Sequence, residues 1–528
     1  MSVKSAAPTA HVDTFARDRL PARQAWPDLL PAGLSYPERL NAADALLAHD
    51  GPCVHGDGFT WNYEELRERS GRVARVLVEE TGLVPGNRVL LHGPNTPELI
   101  ACWFGILRAG GIVVATMPLL RARELVKVIA KAQVGHALVA GPLAAEVEEA
   151  RAREPVLASV KRFDEVEGRD AAFESVATFA DDVAIIAFTS GTTGEPKGCV
   201  HMHRDLLATC DTFGRHILDP QPDEVFSGTP PLAFTFGLGG LVLFPLRFGA
   251  STAPCAKPGP EGLLEAIGRH GITTLFTAPT GYRAMAANAT PAELAPLRVC
   301  VSAGETLPVS VSEAWFERTG IRIIDGIGST EMLHIFIASR PEAAKPGSTG
   351  TVVPGYEAMI VDAEMRPLPP GQIGRLAVRG PTGCRYLDDP RQSSYVVNGW
   401  NLTGDAFRMD EDGYFWFQAR TDDMIISAGY NISGAEVESV LLEHPAVGEC
   451  AVVASPDEER GHVVKAFVVP APGFEADAAL VPELQEHVKA RIAPYKYPRR
   501  VQFVEALPRT PTGKVQRNVL REMDPERG

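Results

Sequence analysis

Cysteine is scarce and scattered in this 528-residue chain: eight residues stand singly at 53, 102, 199, 210, 255, 300, 384 and 450. None forms a Cys-x-x-Cys pair and no Cys/His cluster has zinc spacing, which argues against a structural zinc and a disulfide framework. Reduced thiols of a cytoplasmic protein are expected. Long apolar runs are also missing. The longest, Gly237 to Leu246, is about ten residues, half of what a membrane span needs, and Pro245 interrupts it. No apolar stretch follows the few basic residues at the start, so no secretory signal is expected. Basic charge is in deficit, with 51 Lys and Arg against 66 Asp and Glu, a net charge of −15. That excludes a nonspecific nucleic-acid binder, which needs a basic face, but not a local nucleotide pocket. With 45% hydrophobic and 22% charged residues the chain is neither disordered, a coiled coil nor collagen-like.

From Trp61 a regular rhythm sets in. Leu66, Val73, Val76 and Leu77 recur at helical spacing, and Pro85-Gly86-Asn87 ends that helix. Strands are expected at Arg88–His92, Ile112–Ala115, Leu138–Ala140 and Val183–Phe188, with helices at Pro97–Ala109 and Arg123–Lys131. The alternation resumes at Thr273–Thr277, Arg298–Ser302 and Arg322–Asp325, then gives way to strands at Arg375–Val378 and Tyr414–Phe417. The last hundred or so residues read as a small α+β unit. The expected fold is therefore α/β: a large N-terminal domain of mixed, largely parallel sheets flanked by helices, with a β-rich subdomain and a small C-terminal α+β domain. The polar stretch Arg420-Thr421-Asp422-Asp423 puts the boundary between residues 1–421 and 422–528.

The strongest local signal is Thr189-Ser190-Gly191-Thr192-Thr193-Gly194-Glu195-Pro196-Lys197-Gly198, directly after an apolar strand. Glycines and small hydroxyl residues let backbone N–H groups approach an anion, and a lysine adds a point charge. The order is not that of a Walker A loop, and Pro511-Thr512-Gly513-Lys514 fails the same test. His201 and His203 follow the loop; packing is favoured over a metal pair there.

Seven further segments stand in order after this loop: Pro231-Leu232-Ala233-Phe234-Thr235-Phe236-Gly237, Ser302-Ala303-Gly304-Glu305, Asp325-Gly326-Ile327-Gly328-Ser329-Thr330-Glu331, Thr403-Gly404-Asp405, Arg420-Thr421-Asp422-Asp423, Gly429-Tyr430-Asn431-Ile432-Ser433, and Pro508 to Lys514. Together they resemble the adenylate-forming superfamily of acyl-CoA synthetases, luciferases and peptide-synthetase adenylation domains. The resemblance implies a ligase that uses ATP, Mg²⁺ and CoA. A carboxylate is first joined to AMP, because oxide is a poor leaving group, and a thiol then displaces the phosphate.

The resemblance also implies roles. The 189–198 loop, with Thr189, Ser190, Gly191, Thr192, Thr193, Gly194 and Lys197, would hold the β- and γ-phosphates. Thr330 would donate to the α-phosphate and Glu331 would help hold Mg²⁺. Gly304, Glu305, Asp325, Gly326, Ile327, Gly328 and Ser329 would line the AMP side. Ile327 replaces the aromatic that many relatives stack on adenine. Asp405 would take the ribose diol, supported by Arg420, and Lys514 would bridge substrate carboxylate and α-phosphate. Asp422 matches a hinge on which the C-terminal domain rotates, and Gly429 and Tyr430 match the CoA tunnel. Pro508 to Lys514 is similar to a site that protein acetyltransferases modify.

For the acid, Phe234, Phe236, Gly237, Ser302, Ala303, Gly328 and His334 are the expected pocket. No acid follows the gate aromatics to pair with an amino-acid ammonium, and no carrier segment follows Lys514, so a free-standing ligase is expected. Gly328 to Phe336 and Ala10 to Asp18 are similar to the benzoate and 2-aminobenzoate CoA ligases. A small aromatic acid is therefore the expected substrate class. A medium-chain or other carboxylate ligase of the same family is the alternative, and a noncatalytic acyl-adenylate or CoA binder a more distant one.

Overall fold

The computed structural model describes residues 8–166, 168–189, 195–255, 257, 259–420, 423, 425–427, 430–457, 460–492, 494–510 and 513–524. Three sheets build the larger part. In the first, strands run in the order Ser159–Arg162, His136–Val139, Arg88–His92, Ile112–Thr116, Val183–Thr189 and Lys197–Met202. Neighbours along this order pair in parallel up to Val183–Thr189. Helices Pro97–Arg108 and Ala122–Ala132 are the crossovers that such pairing demands. Thr96 caps the first, with Pro97 at its first position. The last strand turns back antiparallel, setting Thr189 opposite Lys197.

The sequence pattern ended the loop at Gly198 and assigned no strand to Lys197–Met202. Five of its six residues are buried, so the polar–apolar alternation that marks a half-exposed strand is missing.

The second sheet has nine strands, with Val225–Gly228, Thr274–Phe276, Val299–Ala303 and Ile324–Gly328 parallel at its centre. Its edge strands Pro52–Gly56 and Phe59–Asn62 form a hairpin around Asp57-Gly58, a turn pair that the sequence reading passed over. Ile335–Ala338 returns antiparallel beside Ile324–Gly328. The two sheets share one core with Phe104, Phe213, Phe244 and Phe336 fully buried in it.

The third sheet is antiparallel and built on Ile373–Arg379, Trp400–Met409 and Phe415–Arg420. Among the described residues the strands after Arg420 pair only among themselves: Ile425–Ser427 with Tyr430–Ile432, and Val447–Asp457 with Gly461–Pro470 and Arg500–Phe503. Helices Gly434–Leu441 and Leu480–Lys489 cover this last sheet and place Val437, Leu441, Leu484 and Val488 in its core. Residues 19–31 wrap the larger part, hydrogen-bonding through Asp28 N–H to the Gly399 carbonyl and through Leu30 N–H to that of Gly380.

The eight cysteines are all buried free thiols. Among the described residues no helix is long and apolar enough to cross a membrane.

Candidate active site

The hairpin that places Thr189 opposite Lys197 opens toward a turn at the end of strand Ile324–Gly328. Ser190, Gly191, Thr192, Thr193 and Gly194 lie outside the described residues. Thr189 itself is held with its hydroxyl buried and without a hydrogen-bond partner. Lys197 Nζ lies 3.3 Å from Glu331 Oε1 and donates to the Tyr386 hydroxyl at 3.0 Å. That hydroxyl in turn donates to Glu331 Oε1 at 2.5 Å. Both hydrogen bonds therefore land on one oxygen of a carboxylate that is 6% exposed.

Glu331 sits in a tight double turn. Met332 N–H donates to Ser329 and Leu333 N–H to Thr330, and Leu333 adopts φ 70°, a left-handed conformation that branched side chains seldom take. The turn is braced from three sides. His201 Nε2 hydrogen-bonds the Thr330 carbonyl at 2.7 Å, Thr382 Oγ1 donates to the Met332 carbonyl at 2.7 Å, and Ser329 Oγ meets the Tyr395 hydroxyl at 3.3 Å. Tyr386 and Tyr395 lie more than fifty positions further along the chain from the turn, in no motif, which is why sequence reading missed them.

Asp405 and Arg420 face each other across the third sheet's ladder. Arg420 donates to Asp405 at 2.9 Å. Burial raises the Asp405 carboxyl and Arg420 pulls it back down; the carboxylate in turn raises Arg420. Asp325, at the second position of its strand, is pushed up to about 8 by burial.

Lys514 closes this cleft from the C-terminal part. It follows Gly513, whose φ of +88° turns the chain, and its carbonyl accepts from Thr510 N–H at 2.8 Å; Pro511 and Thr512 lie outside the described residues. The side chain is solvent-accessible yet walled by protein. Burial and the nearby Arg420 lower its pKa, opposed by Glu305, Asp405 and Glu331. Arg509, on the same turn, reaches Glu305 at 3.8 Å and Glu449 at 2.8 Å, fastening the turn to the Gly304–Glu305 loop. Burial raises Glu305, against Arg509, Lys514 and Arg517. Gly304 has φ +90° with open space on its Cβ side. Ile327 packs half-buried against the main core.

Beside the charged cleft lies a close-packed apolar cluster of rings. His334 is 3% exposed and surrounded by Phe213, Phe236 and Phe244 at ring distances of 5.3, 5.9 and 4.5 Å. Burial lowers its pKa to about 3. Neither ring nitrogen has a partner in hydrogen-bond geometry, although the Phe236 backbone is close. Phe276 completes the aromatic group, 5.5 Å from Phe236. Gly239 packs on the His334 ring, where a Cβ would come within 2.3 Å of Cδ2. Gly237 approaches the Pro231 carbonyl and Gly328 that of His334, each too closely for a side chain. Ser302 Oγ is buried without a partner and Ala303 is buried beside it, at the end of strand Val299–Ala303. Phe234 is half-buried at the gate. A separate void of about 10 Å³ is lined by Trp103, Leu232, Ala233 and Leu238 among others, and by none of the rings around His334.

The remaining expectations fall elsewhere. Thr421, Asp422 and Gly429 lie outside the described residues, and Tyr430 opens the strand Tyr430–Ile432. His201 and His203 take separate partners, His203 Nδ1 accepting from Ala42 N–H at 3.1 Å. No group of three or more His, Cys, Asp or Glu able to hold a metal occurs among the described residues.

Two family models match the chain: AMP-binding enzyme over residues 42–385 and AMP-binding enzyme C-terminal domain over 436–514. Benzoate–CoA ligase of Thauera aromatica is 35% identical over 519 residues, covering 93% of this chain and 97% of the relative. The mitochondrial acyl-coenzyme A synthetase ACSM3 of Homo sapiens is also 35% identical, over 89% of this chain and 84% of its own. The crystal structure of the anthranilate CoA ligase AuaEII in complex with anthranoyl-AMP superposes with a TM-score of 0.88 at 33% identity, covering 93% and 98% of the two chains.

Proposed function

The chain belongs to the AMP-binding enzyme family and is an acyl-CoA ligase of the adenylate-forming type; from that premise we propose that its substrate is a small aromatic carboxylate of the benzoate or 2-aminobenzoate kind. The observation that carries this reading is the aromatic group around His334, set beside the convergence of Lys197, Glu331, Asp405, Arg420, Glu305 and Lys514 on one cleft. A flat ring matches a site walled by rings. Identity with a human acyl-coenzyme A synthetase as high as with the benzoate–CoA ligase keeps another carboxylate, such as a medium-chain acid, as the second reading.

In the mechanism we assign, ATP and CoA are substrates. The substrate carboxylate attacks the α-phosphorus, the bond to the β-phosphate oxygen breaks, and pyrophosphate leaves. Thr189, Lys197 and the Ser190–Gly194 loop hold the β- and γ-phosphates, while Thr330 donates to the α-phosphate. Asp405 accepts from the ribose hydroxyls with Arg420 behind it. Gly304, Glu305, Asp325, Gly326, Ile327, Gly328 and Ser329 line the nucleotide. Lys514 offsets the charge that gathers between carboxylate and α-phosphate.

Glu331 suits Mg²⁺. It is a hard oxygen donor that, among the described residues, takes hydrogen bonds on only one of its oxygens, and Mg²⁺ needs few protein ligands when it brings phosphate oxygens. When bound, the metal would neutralise phosphate charge.

In the second half-reaction the CoA sulfur attacks the acyl carbonyl and AMP leaves. Lys514 occupies the cleft in this arrangement, so residues 422–528 rotate away between the steps, about Asp422, and bring Gly429 and Tyr430 toward the thiol. Acetylation of Lys514 by a protein acetyltransferase would remove the charge that the first step uses.

The test is to incubate the protein with ATP, Mg²⁺ and benzoate or 2-aminobenzoate, without CoA. Aroyl-AMP and pyrophosphate are expected in mass spectra, and added CoA converts the intermediate to thioester. Adenylates formed only from medium-chain acids would overturn the aromatic reading, and none from any acid would favour a binding protein.

A further inference from the structure

One strand reaches both halves of the Thr330–Glu331 pair. Side chains two apart on a strand share a face, and on Lys197–Met202 that face carries Lys197, Cys199 and His201. Lys197 meets the Glu331 carboxylate. Four residues on, His201 meets the Thr330 carbonyl at 2.7 Å. A carbonyl only accepts, so Nε2 carries the hydrogen and Nδ1 does not. The same carbonyl accepts the Leu333 N–H that closes the left-handed turn. A conformation of this kind persists only when its surroundings enforce it.

The strand itself is clamped. Segment 384–387 pairs with it through Val200 N–H to the Arg385 carbonyl and Leu387 N–H to the Gly198 carbonyl, both at 2.8 Å. Arg385, fully buried, donates to Asp205 Oδ2 at 2.6 Å, and that oxygen also accepts the Met202 N–H at 2.9 Å. The next residue, Tyr386, holds Lys197 and Glu331 together. His201 is fully buried and has no route to substrate, so any effect on chemistry passes through the turn.

We propose that His201 is a positioning residue for the adenylation half-reaction: its hydrogen bond to the Thr330 carbonyl sets where the Thr330 hydroxyl and the Glu331 carboxylate present themselves to the triphosphate. The proposal rests on the phosphate- and cation-holding roles assigned above to Thr330 and Glu331.

The experiment measures both half-reactions in His201→Leu, which removes the donor; His201→Asn, whose amide is too short to reach; and His201→Gln, whose amide can replace Nε2. In Leu and Asn, acyl-AMP formation falls about 10-fold or more, on the scale of a small misplacement. Thioester formation from supplied acyl-AMP stays at the wild-type rate and the KM for the carboxylate is unchanged. Gln restores adenylation to most of the wild-type rate. If the Leu variant does not fold, Asn against Gln decides. Equal loss in both half-reactions, a wild-type adenylation rate in Leu or Asn, or no rescue by Gln overturns the proposal. Glu331→Gln is run in parallel. Unimpaired adenylation there overturns the underlying role of Glu331, whereas an inactive Glu331→Gln beside normal His201 variants removes only the positioning role.

Discussion

Two neighbouring regions of this cleft are built on opposite principles. On the proposed nucleotide side charged groups come with partners: Lys197 with Glu331, Arg420 with Asp405, Arg509 with Glu305 and Glu449. On the proposed acyl side stand rings and close-packed glycines around one neutral histidine. The contrast teaches where each kind of recognition comes from. A polyphosphate must be met by preorganised dipoles and charges, whose mutual pairing keeps them in place before the ligand arrives. A small acid is chosen by shape and by whether a polar substituent finds a partner. The first kind is expensive to damage and the second easy to retune.

Lys514→Ala gives the largest effect. It removes the charge that the C-terminal part contributes to the cleft, so acyl-AMP formation slows by about 10²-fold or more. Conversion of supplied acyl-AMP to thioester is little affected. Rapid-quench assays of the two half-reactions check this, and equal losses would count against the role.

Asp405→Asn weakens the charge-assisted pairing on the ribose side. The KM for ATP rises by about 10-fold, the size of one such interaction. The KM for the acid stays put, and movement of both together would erase the division between the regions.

His334→Leu does the converse. The ratio of kcat/KM between ring-substituted and unsubstituted acids shifts by about 5- to 10-fold, within the range for one pocket contact, at constant KM for ATP.

The last effect is on stability. Burial lowers the pKa of His92 and His201 to about 4 and of His203 and His334 to about 3. An unfolded histidine takes up its proton near pH 6.5. Between that pH and about 4 the unfolded chain binds more protons than the folded one, so stability is full above pH 6.5 and falls as pH drops. Denaturant titrations at stepped pH should show it. His334→Leu lowers the slope by up to one proton, about 1.4 kcal/mol per pH unit.

The residues proposed for the nucleotide side could be picked out from the sequence because glycine, small hydroxyl residues and lone charges in a fixed order leave a local trace. The Thr189 to Gly198 segment, Glu331, Asp405, Arg420 and Lys514 all stand in such segments. Where the trace is not local, reading failed. Tyr386 and Tyr395 brace the Ser329–Glu331 turn from far along the chain. Phe213, Phe244 and Phe276 look like any core aromatics until the sheet and helices bring them around His334. Strand Lys197–Met202 hid because almost all of it is buried. The helices and parallel strands that were expected lie within a few residues of those found, because their periodicity is strong, whereas helices Ala144–Arg153, Pro260–His270, Pro279–Asn288 and Val309–Thr319 and strands Ser159–Arg162 and Val225–Gly228 drew no expectation. The start of Ile324–Gly328 was placed two residues early, where Arg322 instead leaves the sheet to pair with Glu313 at 2.7 Å.

The division of labour across the cleft stands or falls on the acid that the aromatic side selects. The direct measurement is kcat/KM for benzoate, 2-aminobenzoate, hexanoate and octanoate on the wild-type protein, with ATP and CoA saturating and AMP release as the readout. The account predicts that the aromatic acids lead by about 10-fold or more, the discrimination that a fitted pocket delivers. Equal or faster turnover of hexanoate or octanoate would contradict it.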